Sequence, residues 1–365
     1  MKHSFTFSSN AMRLGWKEWV IVVIILLGIF HFVPVFWEKV EKFNPSSDYR
    51  LPYVLSNDYW MFARLCKAYS SKYPVFVIGD SVIWGQYVKM DQTLTHYLNE
   101  MVGKDIFANA GVDGLHPVAM YGLIKYYGKE IHNKGVILHL NPLWLTSKKV
   151  DLSGDEEFNF NHPKLVPLLF PRIRCYKPSL QKRISTIGER YITFFRLVTH
   201  IKITYFNGES IQKWTVENPY KNPLKSITLK LPLPQNKPKS KPLPWFERGI
   251  KKQDYPWVKL DESFQWMFFR KTIKMLELRN NKVFVIVGPF NPYILTEGSL
   301  NRYKIIKNEM EKWLIENGVS FYSVPPLPSK YYADASHPLN EGYKEIAQHL
   351  YKNPSFKKWL REVGI

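Results

Sequence analysis

Cysteine is almost absent: Cys66 and Cys175 are the only two among 365 residues. At most one disulfide is possible, and neither thiol sits in a metal-ligand spacing. The chain therefore relies on an ordinary hydrophobic core, for which its length is ample. Acidic side chains are also few, 31 against 51 lysines and arginines, which leaves a formal charge of +20. Such an excess suits contact with polyanions, whether nucleic acid, anionic lipid or acidic envelope polymers. No internal repeat, P-loop or nucleotide fingerprint is present, and nothing in the chain calls for a metal or an organic cofactor.

The absence of charge from Trp19 to Trp37 selects among those polyanions. The run "VIVVIILLGIFHFVPVF" and its two flanking tryptophans would cover about 28 Å as a helix, enough to cross the hydrocarbon of a bilayer. Lys2, Arg13 and Lys17 precede the span, and Glu38, Lys39, Glu41 and Lys42 follow it in balance. The positive-inside rule then expects a cytoplasmic tail over 1–18, a transmembrane helix over 19–37 and an extracytoplasmic remainder. A cleaved signal peptide is the main rival, but no small-x-small cleavage site follows the apolar core. A buried helix of a soluble protein passes the same test. An extracytoplasmic domain leaves its positive charge no access to nucleic acid.

After a connecting segment over 38–72, apolar strand-like runs alternate with amphipathic stretches. "PVFVIGDS", "DIFANAG", "GVILHLNP", "NKVFVIVGPFN" and "VSFYSV" read as strands, with helices near Thr93–Met101, near Pro117–Ile131, over "RYKIIKNEMEKWLIENG" and from about Leu339. Apolar strands without polar alternation indicate a mostly parallel sheet covered on both faces, an α/β three-layer sandwich over 73–352 with a tail over 353–365. Residues 146–260 break the rhythm and read as an insertion, helical around Leu180–Val198. Within it, 222–253 forms a basic, proline-rich arm that would be extended, either a solvated linker or an interaction surface.

Ligands in such folds bind outside the carboxyl ends of the strands, where the chemistry-bearing residues cluster. The first strand runs into Gly79-Asp80-Ser81, ordinary turn chemistry by itself but also a way to present a serine hydroxyl at a cleft. A serine nucleophile needs a base, and "YYADASHPLNEGY" places Asp334 three residues before His337 ahead of a helix. "NAGVDG" puts Asn109, Gly111 and Gly114 after the second strand, with glycines that let a backbone N–H approach a reacting carbonyl. Asn141 and Trp144 in "HLNPLW" end the third strand, and Asn291 in "GPFN" ends the fourth. These are candidate oxyanion donors and cleft-rim residues. Turn formation and capping explain Gly111, Gly114, Asn141 and Asn291 equally well.

These blocks resemble the SGNH (GDSL-type) hydrolase superfamily over about 73–144 and 282–352. "GDSVIWG" is similar to its first block, "NAGVDG" to its second and "DASH" to its Asp-x-x-His block. The resemblance implies a flavodoxin-like fold, with Ser81 as nucleophile and oxyanion donor, Gly114 as oxyanion N–H, His337 as general base and Asp334 as its orienting acid. Asp80, Asn109, Asn291 and Trp144 would line the substrate. The third block departs from the superfamily's Gly-x-Asn-Asp, since "LNPLWL" displaces Asn141 and puts its oxyanion role in question. Layout and anchor look like the D-alanylation proteins of lipoteichoic acid synthesis and, more loosely, SGNH-like proteins of exopolysaccharide O-acetylation.

Together these readings lead to the expectation of a membrane-tethered serine acyltransferase or esterase acting on a cell-surface glycan, with a membrane-bound O-acyltransferase as a possible partner. A non-catalytic scaffold using the same cleft and a plain lipase or esterase are the alternatives. On the arm, Lys225, Lys230, Lys237, Lys239 and Lys241 would track the polymer, with Trp245 and Trp257 stacking on sugars, so that deleting Ser226–Lys241 would spare hydrolysis of a small ester.

Overall fold

In the computed structural model, which describes residues 14–365, five short apolar segments align as one all-parallel sheet. Lys2 and Arg13, two of the charges behind the expected orientation, lie outside the described residues. Helix α1 (Trp16–Val40) continues three residues beyond the expected span at each end. It is long and apolar enough to cross a membrane, and Pro34 is its one buried residue.

The segment expected to be a connector is part of the core instead. Helix α2 (Tyr59–Lys72) starts where Asp58 accepts a hydrogen bond from the Met61 N–H at 3.1 Å, and it buries Trp60, Phe62, Leu65, Cys66 and Tyr69. There follow β1 (Val75–Ile78), α3 (Ser81–Trp84), α4 (Leu94–Val102), β2 (Phe107–Asn109), α5 (Pro117–Tyr126) and β3 (Gly135–Leu140). The insertion carries α6 (Lys148–Asp151), α7 (Leu180–Tyr191), α8 (Thr193–Tyr205), α9 (Ile211–Glu217) and α10 (Pro223–Ser226). The chain then returns through α11 (Phe264–Glu277), β4 (Lys282–Val287), α12 (Glu297–Glu316), β5 (Ser320–Ser323), α13 (Asn340–Lys352) and α14 (Pro354–Val363). The expected C-terminal tail is thus a helix, and its Phe356 and Trp359 are fully buried.

Strand order is β2-β1-β3-β4-β5, with Val75 opposite both Phe107 and Gly135, and Gly135 opposite Lys282. Alternate side chains of each strand enter opposite cores because the strand period is two. Phe76, Ile78, Val136, Leu138, Val283 and Val285 pack toward α2, α5, α11 and α12. Val75, Val77, Ile137, Phe284 and Ile286 pack toward α4, α13 and α14. Burial on both faces explains why the strands are apolar without alternation. Chain order reverses between β1 and β3, so the segments leaving these strands diverge and open a crevice at their carboxyl ends.

Apart from the single turn of α10 and a turn at 245–249, the arm is irregular and extended, as its prolines dictate, but it is not a solvated linker. The Arg50 guanidinium donates to the carbonyls of Gln235 (2.6 Å), Asn236 (3.0 Å) and Lys237 (3.3 Å), and also to those of Gly85 and Val88 just beyond α3. Lys239 N–H donates to Gln86 O at 2.9 Å, and its ammonium pairs with Asp113 at 2.9 Å. Trp257 is not available to stack on a sugar: it is buried against Phe290 and Tyr303, with its indole N–H on Ser299. Trp245 is half-buried and donates to Ser329 Oγ at 3.1 Å.

Candidate active site

Gly79 ends β1 where no larger residue fits, since a Cβ there would stand 2.3 Å from Ile83 Cγ1 and 2.8 Å from His139 Cβ. The turn this allows puts Asp80 at the head of α3, where its carboxylate accepts from Val82 N–H at 2.9 Å, and starts the helix with Ser81. On the other side of the crevice, Asp334 accepts from the N–H groups of Ser336 and His337, each at 3.0 Å. That turn aims the imidazole of His337 at α3. His337 Nε2 lies 2.8 Å from Ser81 Oγ, and His337 Nδ1 lies 2.8 and 3.0 Å from the two Asp334 oxygens. Residues 256 positions apart thus form one continuous hydrogen-bonded line.

The electrostatics of the line favour a charged imidazole. Burial opposes charge on His337, but the Asp334 carboxylate, aided by Asp80, outweighs it and holds the imidazole above its ordinary value. Burial likewise opposes the Asp334 carboxylate, and the facing imidazole with two backbone N–H donors pulls it well below the usual carboxylate range. Ser81 and His337 are each only 7% exposed, so the line is shielded from bulk water.

Gly114 carries φ +71°, the left-handed region that favours glycine, and a Cβ there would meet Asn161 Nδ2 at 2.5 Å. Among the described residues, neither the Ser81 nor the Gly114 amide donates to another protein group. The other expected donors are spent internally. Asn141 Nδ2 donates to Asp80 Oδ2 at 2.7 Å and to Ser336 Oγ at 3.2 Å, using both hydrogens, which is the bracing role the sequence left open beside the oxyanion one. Asn109 bonds Asp48, the Ile83 carbonyl and Gly111 N–H, holding the second loop against α3. Asn291 donates to Asp334 O and accepts from Tyr293 N–H, pinning the acid-bearing loop. Asp80 and Trp144 face each other, with the indole N–H on Asp80 Oδ2 at 2.9 Å. These hydrogen bonds brace the loops that carry Ser81 and Asp334.

Asp80 is therefore a buried hub. Burial raises its pKa, but His139, His337 and the Val82 N–H overcompensate and bring it to about 2. His139, which the strand pattern hid because it sits in an apolar run, donates from Nε2 to Gly288 O at 2.9 Å. Its Nδ1 stands 3.2 Å from Asp80 Oδ1, an ion contact when the ring is protonated. Arg248 was also missed. It donates to Tyr87 Oη at 2.6 Å and to Ala333 O at 2.8 Å and stands 3.9 Å from Asp334 Oδ2. Only its place in the Lys/Pro-rich arm hinted at this, and no local pattern ties that arm to the terminal Asp-x-x-His.

No metal-holding group of histidine, cysteine or carboxylate side chains occurs among the described residues. A cavity of about 730 Å³ lined by Trp257, Trp266, Arg270 and Trp313 contains no member of the Ser81 line. No protein-family model matches the chain, and neither does any curated protein sequence.

Proposed function

We propose that the protein is a membrane-anchored, extracytoplasmic serine acyltransferase or esterase of the SGNH type, with a flavodoxin-like sheet, acting on acyl groups of a cell-envelope polysaccharide. The observation that carries this reading is the line Ser81–His337–Asp334, with both contacts at 2.8 Å. His337 Nε2 takes the Ser81 proton as Oγ attacks an acyl carbonyl. The resulting oxyanion meets the Ser81 and Gly114 amides. Collapse expels an alcohol, which takes the proton back from Nε2 and leaves an acyl-serine ester. An acceptor hydroxyl, from polymer or water, then gives its proton to Nε2, attacks that ester and releases Ser81. Asp334 keeps the Nδ1–H oriented and balances the imidazolium.

The apolar α1 helix supports the envelope location, and the strand order with its two glycine-bearing loops supports the superfamily. A membrane-bound O-acyltransferase is the partner chemistry that would deliver acyl groups to such a site. The test is turnover of a small aryl acyl ester by the full-length protein in detergent, with and without an added polysaccharide. Turnover should be lost in Ser81→Ala, and polymer hydroxyls should divert acyl groups from water if the enzyme is a transferase. Equal rates for the wild type and Ser81→Ala would refute the reading.

A further inference from the structure

Helices α7 and α8 form a hairpin whose turn and adjoining outer face are apolar, with the charges nearest the turn, Glu189, Arg190 and Arg196, directed inward and the exposed Lys182 and Lys202 kept to its far ends. Ile184, Ile187, Tyr191, Ile192, Phe195 and Val198 are exposed. Arg190, in contrast, is buried and donates to the carbonyls of Lys164 and Val166. Arg196 donates to Glu189 O at 2.8 Å and lies over the Tyr127 ring, while Glu189 pairs with Lys164. In water this arrangement is upside down. Exposed basic residues occur at the approach to α7, Arg172 and Lys177, and in its first turn, Lys182.

The hairpin is also fixed beside α1. At the foot of α1, buried Glu41 meets His200 Nε2 at 2.9 Å together with Arg64 and Tyr205, and His200 Nδ1 reaches Asp58 at 2.6 Å. At the hairpin tip, Phe194 stacks on Phe30 with ring centroids 4.7 Å apart, and Phe195 lies edge-on to the same ring at 5.5 Å. Phe30 is seven residues inside Trp37, roughly 10 Å along the helix axis. If Trp37 marks the interface, the tip must lie about as deep as amphipathic helices usually settle, some 5–10 Å.

We propose that the α7–α8 hairpin is a second membrane contact, inserted in the outer leaflet beside α1, so that the domain is docked on the lipid surface in one orientation. The occupant of the apolar face is acyl chain, with phospholipid headgroups against Arg172, Lys177 and Lys182. This rests on α1 crossing the bilayer, and the test separates the two. Full-length protein carrying an environment-sensitive fluorophore at Tyr191→Cys, Phe195→Cys, Ile24→Cys or Ile305→Cys is reconstituted in pure phospholipid nanodiscs. Both native cysteines are buried and should stay unlabelled. Lipids with a quencher on the acyl chain should quench positions 191 and 195 at least half as strongly as position 24, while aqueous iodide reaches only position 305. Iodide access at 191 and 195 with lipid quenching at 24 overturns the docking and leaves the anchor, as expected if the face belongs to a protein partner. Iodide access at 24 as well overturns both.

Discussion

Ser81, His337 and Asp334 make separate demands that the pH dependence of reaction can read. His337 must be neutral to accept the Ser81 proton, and its neighbours hold it above the ordinary imidazole value of about 6.5. The rate of reaction with an activated ester should therefore rise with pH around a midpoint above 6.5. Asp334→Asn should move that midpoint down and slow the reaction on the order of 10²-fold or more. An unchanged midpoint would mean that the carboxylate does not govern the base. At this scale the sequence was legible where the geometry is local: Gly-Asp-Ser and Asp-x-x-His are each complete within four residues, and the structure brings them together. For Asn141, Asn109 and Asn291 the sequence could not choose, because a short polar side chain at a strand end looks the same whether it faces a ligand or braces a loop. Only the distant acceptors, such as Asp80 and the Asp334 carbonyl, separate the two.

The link between α1 and α8 is the element whose energetics are most exposed to pH. His200 is fully buried between Glu41 and Asp58, and these carboxylates outweigh burial to raise its pKa to about 9. A group raised on folding contributes stability that is complete below its unfolded value, about 6.5, and is lost as pH rises through about 9. Thermal melts of the detergent-solubilised protein should lose stability from pH 6.5 to 9, and His200→Gln should be less stable at pH 6.5 and flatter across that interval. Parallel pH curves for the two proteins would count against a charged His200. Removing residues 1–44 would delete Glu41 and leave Arg64 and His200 buried without it, a loss of roughly 3–5 kcal/mol by analogy with broken buried ion pairs. The strands and most core helices were readable from apolar runs and caps. The role of 38–72 was not, because its buried Asp58, Arg64 and Arg50 look like surface residues until their partners, 142, 23 and 185 positions away, are known.

At the level of the whole molecule, the insertion ties α1, the arm and the crevice together. The sequence showed that 222–253 must be extended and basic, and left open whether it was a linker. Arg50 settles its course by clamping Gln235–Lys237 and the end of α3 with one guanidinium. Deleting Ser226–Lys241 should therefore reduce small-ester turnover and envelope acylation together, measured in the same variant, contrary to the expectation that a peripheral polymer-tracking arm would spare the first. Loss of acylation alone would restore the peripheral arm. The central claim, that Ser81 is a nucleophile activated by His337, is tested most directly by treating the folded full-length protein with a fluorophosphonate and mapping the adduct by mass spectrometry. The account predicts a single adduct on Ser81 that disappears in His337→Ala. A wild-type protein that stays unmodified beside a reacting serine esterase, or an adduct on a different serine, would contradict it.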